Sequence, residues 1–105
     1  MLKYKLRDFT RGWVTGNFEP SLVKDNYEVG IKRYQEGDIE PRHYHKLCNE
    51  ITIVLDGVIE MNGVKYYEGD IIVVSPEESV EFRAFTDSRT CVIKTNSNVK
   101  DKYVE

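Results

Sequence analysis

Apolar residues in this chain recur mainly at every second position, in short runs separated by turn residues, and that rhythm predicts strands. In Tyr27–Tyr34, Tyr27, Val29 and Ile31 alternate with Glu28, Gly30 and Lys32, which predicts a strand with the first set buried and the second wet. Residues 51–55 are apolar at nearly every position. Thr52 and Val54 share the side of Glu50, while Ile51, Ile53 and Leu55 share the other. Such a strand needs cover on both faces. A barrel interior supplies one; an N-terminal strand or a second subunit is expected to supply the other.

Turn signals then arrive at close intervals. Asp56-Gly57 and Asn62-Gly63 are strong hairpin dipeptides, and Glu68-Gly69-Asp70, Pro76-Glu77-Glu78 and Thr86-Asp87-Ser88 separate the later apolar runs. Six or more short strands joined by two- to four-residue turns predict an all-β antiparallel jelly roll with little helix, rather than βαβ units. The reading is one domain over residues 1–105: a barrel at about 27–94, residues 1–26 as extra strands, and a polar tail at 95–105. In the first twenty residues Gly12, Gly16 and Pro20 oppose a long helix. Trp13 and Phe18 are expected either as core anchors or as the lining of a pocket or subunit contact.

Composition narrows the classes. With 105 residues the chain suffices for one core without disulfide support, and a net charge of −3 without a long basic cluster does not favour nucleic acid. No apolar run approaches the ~20 residues that span a bilayer. The N-terminus lacks the continuous apolar segment of a secretion signal, so a cytoplasmic protein without membrane partners is expected. Cys48 and Cys91 do not make a disulfide framework and are expected reduced and partly buried.

The candidate chemistry lies within residues 37–57, GDIEPRHYHKLCNEITIVLDG, which hold both histidines of the chain. In an extended strand His43 and His45 aim to one face and Tyr44 to the other. Glu50, brought back by a short turn, would complete a donor set for Zn, Fe, Mn or Ni. The other reading makes the histidines buried polar residues bonded to backbone, and Glu50 a carboxylate paired with a histidine or with Arg42. Cys48, between His45 and Glu50, would reach the site only through an unusual turn.

The spacing resembles the first signature of the cupin superfamily: Gly37, five residues, His43-Tyr44-His45, four residues, Glu50, six residues, Gly57. The resemblance implies the cupin barrel and a metal held by His43, His45 and Glu50, with His43 and His45 as catalytic candidates. The second signature departs from the family pattern after Gly69. Ser75, Glu77, Val80 and Ala84 stand where a proline, glycine, histidine ligand and asparagine are expected. A one-residue shift would put Pro76 on the proline and Glu81 on the ligand position. Alternation decides for the unshifted register: Val80, Phe82 and Ala84 form an apolar, inward set, leaving Glu81 outward beside Arg83 as a solvated pair.

Three functions are compatible with these residues. The first is a metal-dependent enzyme of isomerase or dioxygenase type, acting on a small molecule with a carbonyl, carboxylate or sugar. The second is a metal-independent sugar-nucleotide isomerase or epimerase with a histidine base and tyrosine acid; YEVGIKRY followed by RHYHK looks loosely like the 3,4-ketoisomerases. The third is a non-catalytic ligand-binding module. A homodimer is expected in each case, from residues 51–55 and the uncommitted N-terminal aromatics.

Overall fold

Asn62 and Gly63 take φ of 50° and 80°, the left-handed pair that a tight hairpin requires, and they join Ile59–Met61 to Val64–Tyr66. The same punctuation sets the other strands of the computed structural model, which describes residues 1–105. They are β1 (Trp13–Thr15), β2 (Tyr27–Tyr34), β3 (Ile39–Tyr44), β4 (Glu50–Asp56), β5 (Ile59–Met61), β6 (Val64–Tyr66), β7 (Ile71–Val74), β8 (Val80–Ala84), β9 (Ser88–Thr95) and β10 (Tyr103–Val104). Helix is confined to two three-residue 3₁₀ turns, Leu6–Asp8 and Thr10–Gly12. No helix is long and apolar enough to cross a membrane.

The strands form two antiparallel five-stranded sheets, ordered β1-β2-β9-β4-β7 and β10-β3-β8-β5-β6. This is the all-β jelly roll that the alternation predicts. At one end the sheets close on Val54 and Val74 from the first and Ile59, Met61, Val80, Phe82 and Ala84 from the second. The other end stays open and polar. Gly57 fixes a sharp corner there is no room to change: it holds φ of 78°, and a Cβ would run into the Asp87 carbonyl.

Two features of the strand reading are reversed or displaced. On β2 it is Glu28 and Gly30 that are buried, whereas Tyr27 is 54% exposed. The inward face of β2 borders a polar cavity, so the alternation is correct but its apolar side points out of the barrel. Of residues 1–26, only Trp13–Thr15 is strand, because Arg11 at φ 50° and Gly12 at φ 80° turn the preceding chain into 3₁₀ turns. The tail adds a strand of its own: β10 pairs with β3, placing Tyr103 opposite Tyr44 and Val104 opposite His43.

Candidate metal centre

His43 is the penultimate residue of β3, and His45 is the first residue beyond the strand's end. Pro41 sits within that strand and has no N–H to give, and the β3–β8 ladder shifts register between Glu40 and His43. The irregularity lets the His43 ring fold back, so that Nδ1 lies 2.9 Å from the Pro41 carbonyl and donates to it. His45 is anchored in the same way, by its Nδ1 donating to the Asp101 carbonyl. Both imidazoles therefore spend Nδ1 on backbone and present Nε2 to one point.

Glu50, the first residue of β4, supplies the third donor. Its carboxylate lies 3.3 Å from His45 Nε2. The ligand atoms of His43, His45 and Glu50 all fall within 4.8 Å of one another, and both histidines are buried. His45 Nε2 is buried with no well-formed hydrogen bond. An Nδ1–H held by a carbonyl and an unshared Nε2 facing a carboxylate is the arrangement that a metal-ligating histidine requires. The residues fit a divalent metal.

The protonation states follow from the same contacts. The Cys48 thiol and the Glu50 carboxylate beside the ring, together with the Asp101 carbonyl, outweigh burial and raise His45 to about 10. Burial pulls the Glu50 carboxyl upward, but the His45 hydrogen bond and the charges of Lys94 and the imidazoles hold it below the ordinary carboxylate range. A proton and a metal thus compete for one lone pair on His45.

Val80 is aligned with His43 across the β3–β8 ladder and is buried, while Glu81 is exposed. The apolar inward reading of that strand holds. Glu81 pairs with Arg42 at 3.9 Å rather than with Arg83, and Arg42 is thereby unavailable to Glu50. A valine beside His43 leaves three protein donors and an open coordination side, the pattern of a reactive rather than a sealed site. Val80→His is expected to raise Zn²⁺ affinity about tenfold or more by adding a fourth imidazole. Calorimetric titration of the folded variant checks this, and unchanged affinity would place Val80 away from the metal.

Three further participants adjoin the donor set, of which Asp101 has no signal in the sequence spacing. Cys48 is buried against His45, and the ligand atoms of His45, Cys48 and Asp101 also lie within 4.8 Å of one another. The Asp101 carboxylate is not free for a metal, because it accepts from the amides of Lys46, Leu47 and Cys48 at 2.9–3.2 Å. Burial raises its carboxyl and these amides lower it further, leaving it below the usual range. It pins the loop that turns His45 toward Glu50, from a position 56 residues away that no local pattern connects.

The third participant is the N-terminal segment. The donors sit in a cavity of about 1120 Å³, whose wall includes Phe9, Trp13 and Phe18. Trp13 and Phe18 thus line a pocket. A smaller chamber of about 30 Å³ continues inward past His43 and Glu50, bordered by the buried hydroxyls of Thr52 and Thr90, which have no hydrogen-bond partner.

No protein-family model and no curated protein matches the chain. Solved structures do. An RmlC-like cupin from Shewanella frigidimarina is 16% identical, with a TM-score of 0.67 over 74% of this chain and 73% of that one. KdgF from Halomonas sp. is 18% identical, with a TM-score of 0.64 over 71% and 74%. The bacterial pirin YhhW from Escherichia coli, solved in complex with nickel(II), is 17% identical with a TM-score of 0.68 over 83% of this chain, which spans 39% of the pirin. The chain has the cupin fold.

Proposed function

We propose that this cupin-fold chain holds a divalent metal through His43, His45 and Glu50 and acts on a small molecule bearing a carbonyl or carboxylate. The observation that carries this reading is the pair of Nδ1 anchors, which turn both Nε2 atoms toward the Glu50 carboxylate. When bound, the metal supplies Lewis-acid polarisation of a carbonyl or, as iron, dioxygen chemistry. The chain's own residues do the rest. Glu50 carries negative charge to the site, Val80 keeps one side apolar, and Phe9, Trp13 and Phe18 give the cavity wall an aromatic side. Nickel in the pirin neighbour is consistent with the reading.

The test is metal analysis of protein purified without a chelating tag, then reloaded with Zn²⁺, Fe²⁺, Mn²⁺ or Ni²⁺. About one metal per chain is expected. Well under one after reloading contradicts the reading.

The isomerase alternative is weaker on this geometry. Tyr34 is the tyrosine on the cavity wall, and its hydroxyl donates to Glu40 at 2.9 Å. Burial and the Glu40 charge hold it above the ordinary phenol range, the wrong direction for a proton donor near neutrality. The non-catalytic reading is favoured by one observation, the aromatic lining from Trp13 and Phe18, and predicts that a ligand is recovered unchanged from the metal-loaded protein.

The outer face of the first sheet supports a homodimer. In register across β2, β9, β4 and β7 run two apolar rows, Val29–Ile93–Ile51–Val73 and Ile31–Cys91–Ile53–Ile71. Val73 is 58% exposed and Ile71 63%. Monomers rarely leave so continuous an apolar surface to water, and a flat sheet face is self-complementary about a two-fold axis. Light scattering is expected to give a particle of twice 12.3 kDa, and Ile71→Lys with Val73→Glu to give the monomer. A monomeric parent contradicts this.

A further inference from the structure

The inward faces of β2 and β9 bring two lysines, Lys32 and Lys94, into the cavity with the metal donors. Lys32 and Lys94 both line it, and their Nζ atoms lie 4.9 and 5.0 Å from the Trp13 ring centroid. Neither forms an ion pair: Lys32 Nζ donates at 2.7 Å to the neutral Arg11 carbonyl, and no carboxylate comes within 4.0 Å of either ammonium. Both lysines are half-buried, and a cation that has lost part of its hydration without a contacting anion gains from an anionic ligand. The wall as a whole carries seven basic and six acidic side chains, although the chain has a net charge of −3. Lys94 is also aligned with Glu50 across the β4–β9 ladder, so the cationic region borders the donor set directly.

The geometry points to Lys32 and Lys94, arrayed about Trp13, as the subsite for the carboxylate of a small-molecule ligand whose other oxygen faces His43, His45 and Glu50. A monoanion suits this place better than a phosphate dianion. Glu28 and Glu50 both stand opposite Lys94 in register, and Glu40 lies close enough to Lys32 to raise its affinity for a proton. Arg11 and Lys102 on the same wall also act on Lys32, so four cations face these three carboxylates and leave about one positive charge for a ligand to match. Burial, the largest influence on Lys32, weakens its hold on its proton, and a bound carboxylate would reverse that. The Trp13 face offers the ligand's carbon skeleton an apolar wall. This subsite rests on reading the cavity as a small-molecule site, but it does not require the metal.

Trp13 is the single tryptophan of the chain, so its fluorescence reports the subsite. Metal-free protein in a chelator would be titrated with pyruvate, and separately with inorganic phosphate, at constant ionic strength. Saturable change with pyruvate is expected, with phosphate binding at least tenfold weaker. Lys32→Met and Lys94→Met are each expected to weaken pyruvate about tenfold, while Zn²⁺ affinity stays within about threefold of the parent. Circular dichroism monitors folding, and Lys94→Gln replaces any Lys94 variant that fails to fold. No saturable pyruvate response in either metal-free or Zn²⁺-loaded protein overturns the inference. So does pyruvate affinity unchanged in the two folded variants, or phosphate binding as tight as pyruvate. Failure of the metal reading shows separately, as pyruvate binding by a protein that takes up no Zn²⁺.

Discussion

His45→Ala is expected to lower Zn²⁺ affinity by about 100-fold or more, since it removes one of three protein donors, and losing even a supporting contact at such sites costs about 10–100-fold. The barrel should survive. The substitution leaves the Asp101 carbonyl without its buried donor, a cost of about 1–3 kcal/mol, which a domain of this size tolerates. In the parent, Zn²⁺ binding should strengthen with pH up to about 10, because the metal displaces the proton that Cys48 and Glu50 help retain on His45. Near pH 7.5 about one proton should be released per metal from this residue, measurable by calorimetry in buffers of different ionisation enthalpy. Affinity unchanged in His45→Ala, or independent of pH between 7 and 9, would remove His45 from the site.

Stability of the metal-free protein has a matching pH signature. A histidine whose folded value is raised contributes fully below its ordinary value near 6.5 and loses that contribution as pH climbs toward about 10. A carboxylate whose folded value is depressed contributes above its ordinary range and fails as acid protonates it. The His45–Glu50 pair is therefore strongest between these limits. Thermal melts from pH 7 to 10 should decline more steeply in the metal-free parent than in His45→Ala.

Asp101→Ala should produce the largest loss of stability among single substitutions near the site. Its carboxylate, buried at 4% exposure, accepts from three successive amides. Removing it strands those amides and costs on the order of 3 kcal/mol. For a domain of about this size that is a fall in Tm of roughly 12–20 °C. The damage should extend to the metal, because the loop over residues 46–49 links His45 to Glu50. The tail would loosen as well, although it keeps the Tyr103–Tyr44 stack and the Ser97 hydroxyl's bond from the Asn17 amide. Asp101→Asn retains one acceptor oxygen and should recover part of the loss. A melt within about 2 °C of the parent for Asp101→Ala would show that the loop is held by other contacts.

Much of this architecture is legible from residue order, because strand alternation and tight turns are local. Asn62-Gly63 dictates its hairpin by backbone conformation alone, and the parity of Val80, Phe82 and Ala84 orients β8 without any distant contact. The same locality makes His43, His45 and Glu50 visible as a donor set: a strand places the first two and a short loop returns the third. Asp101 and Cys48 are not visible in that way. Asp101 reaches the site only because the tail crosses back over β3, and Cys48 is turned inward by the loop that Asp101 holds.

The strand β2 shows most clearly where sequence ends and structure begins. Its period of two is fixed by the residues, so Tyr27, Val29 and Ile31 must share one face and Glu28, Gly30 and Lys32 the other. Which face turns inward is not fixed by that pattern. An apolar set can be hidden equally well by a core or by an apolar face beyond the sheet, and a polar set can face water or a polar cavity. Packing settled it: Gly30 lets the Trp13 ring lie against the strand, where a Cβ would stand 2.6 Å from the ring, and Lys32 and Lys94 follow Gly30 inward. The sequence by itself determined the strands and turns of the central barrel and grouped three candidate donors. The tertiary structure alone decided that the charged side of β2 lines the site, because side-chain direction relative to a core depends on what the rest of the chain packs against it.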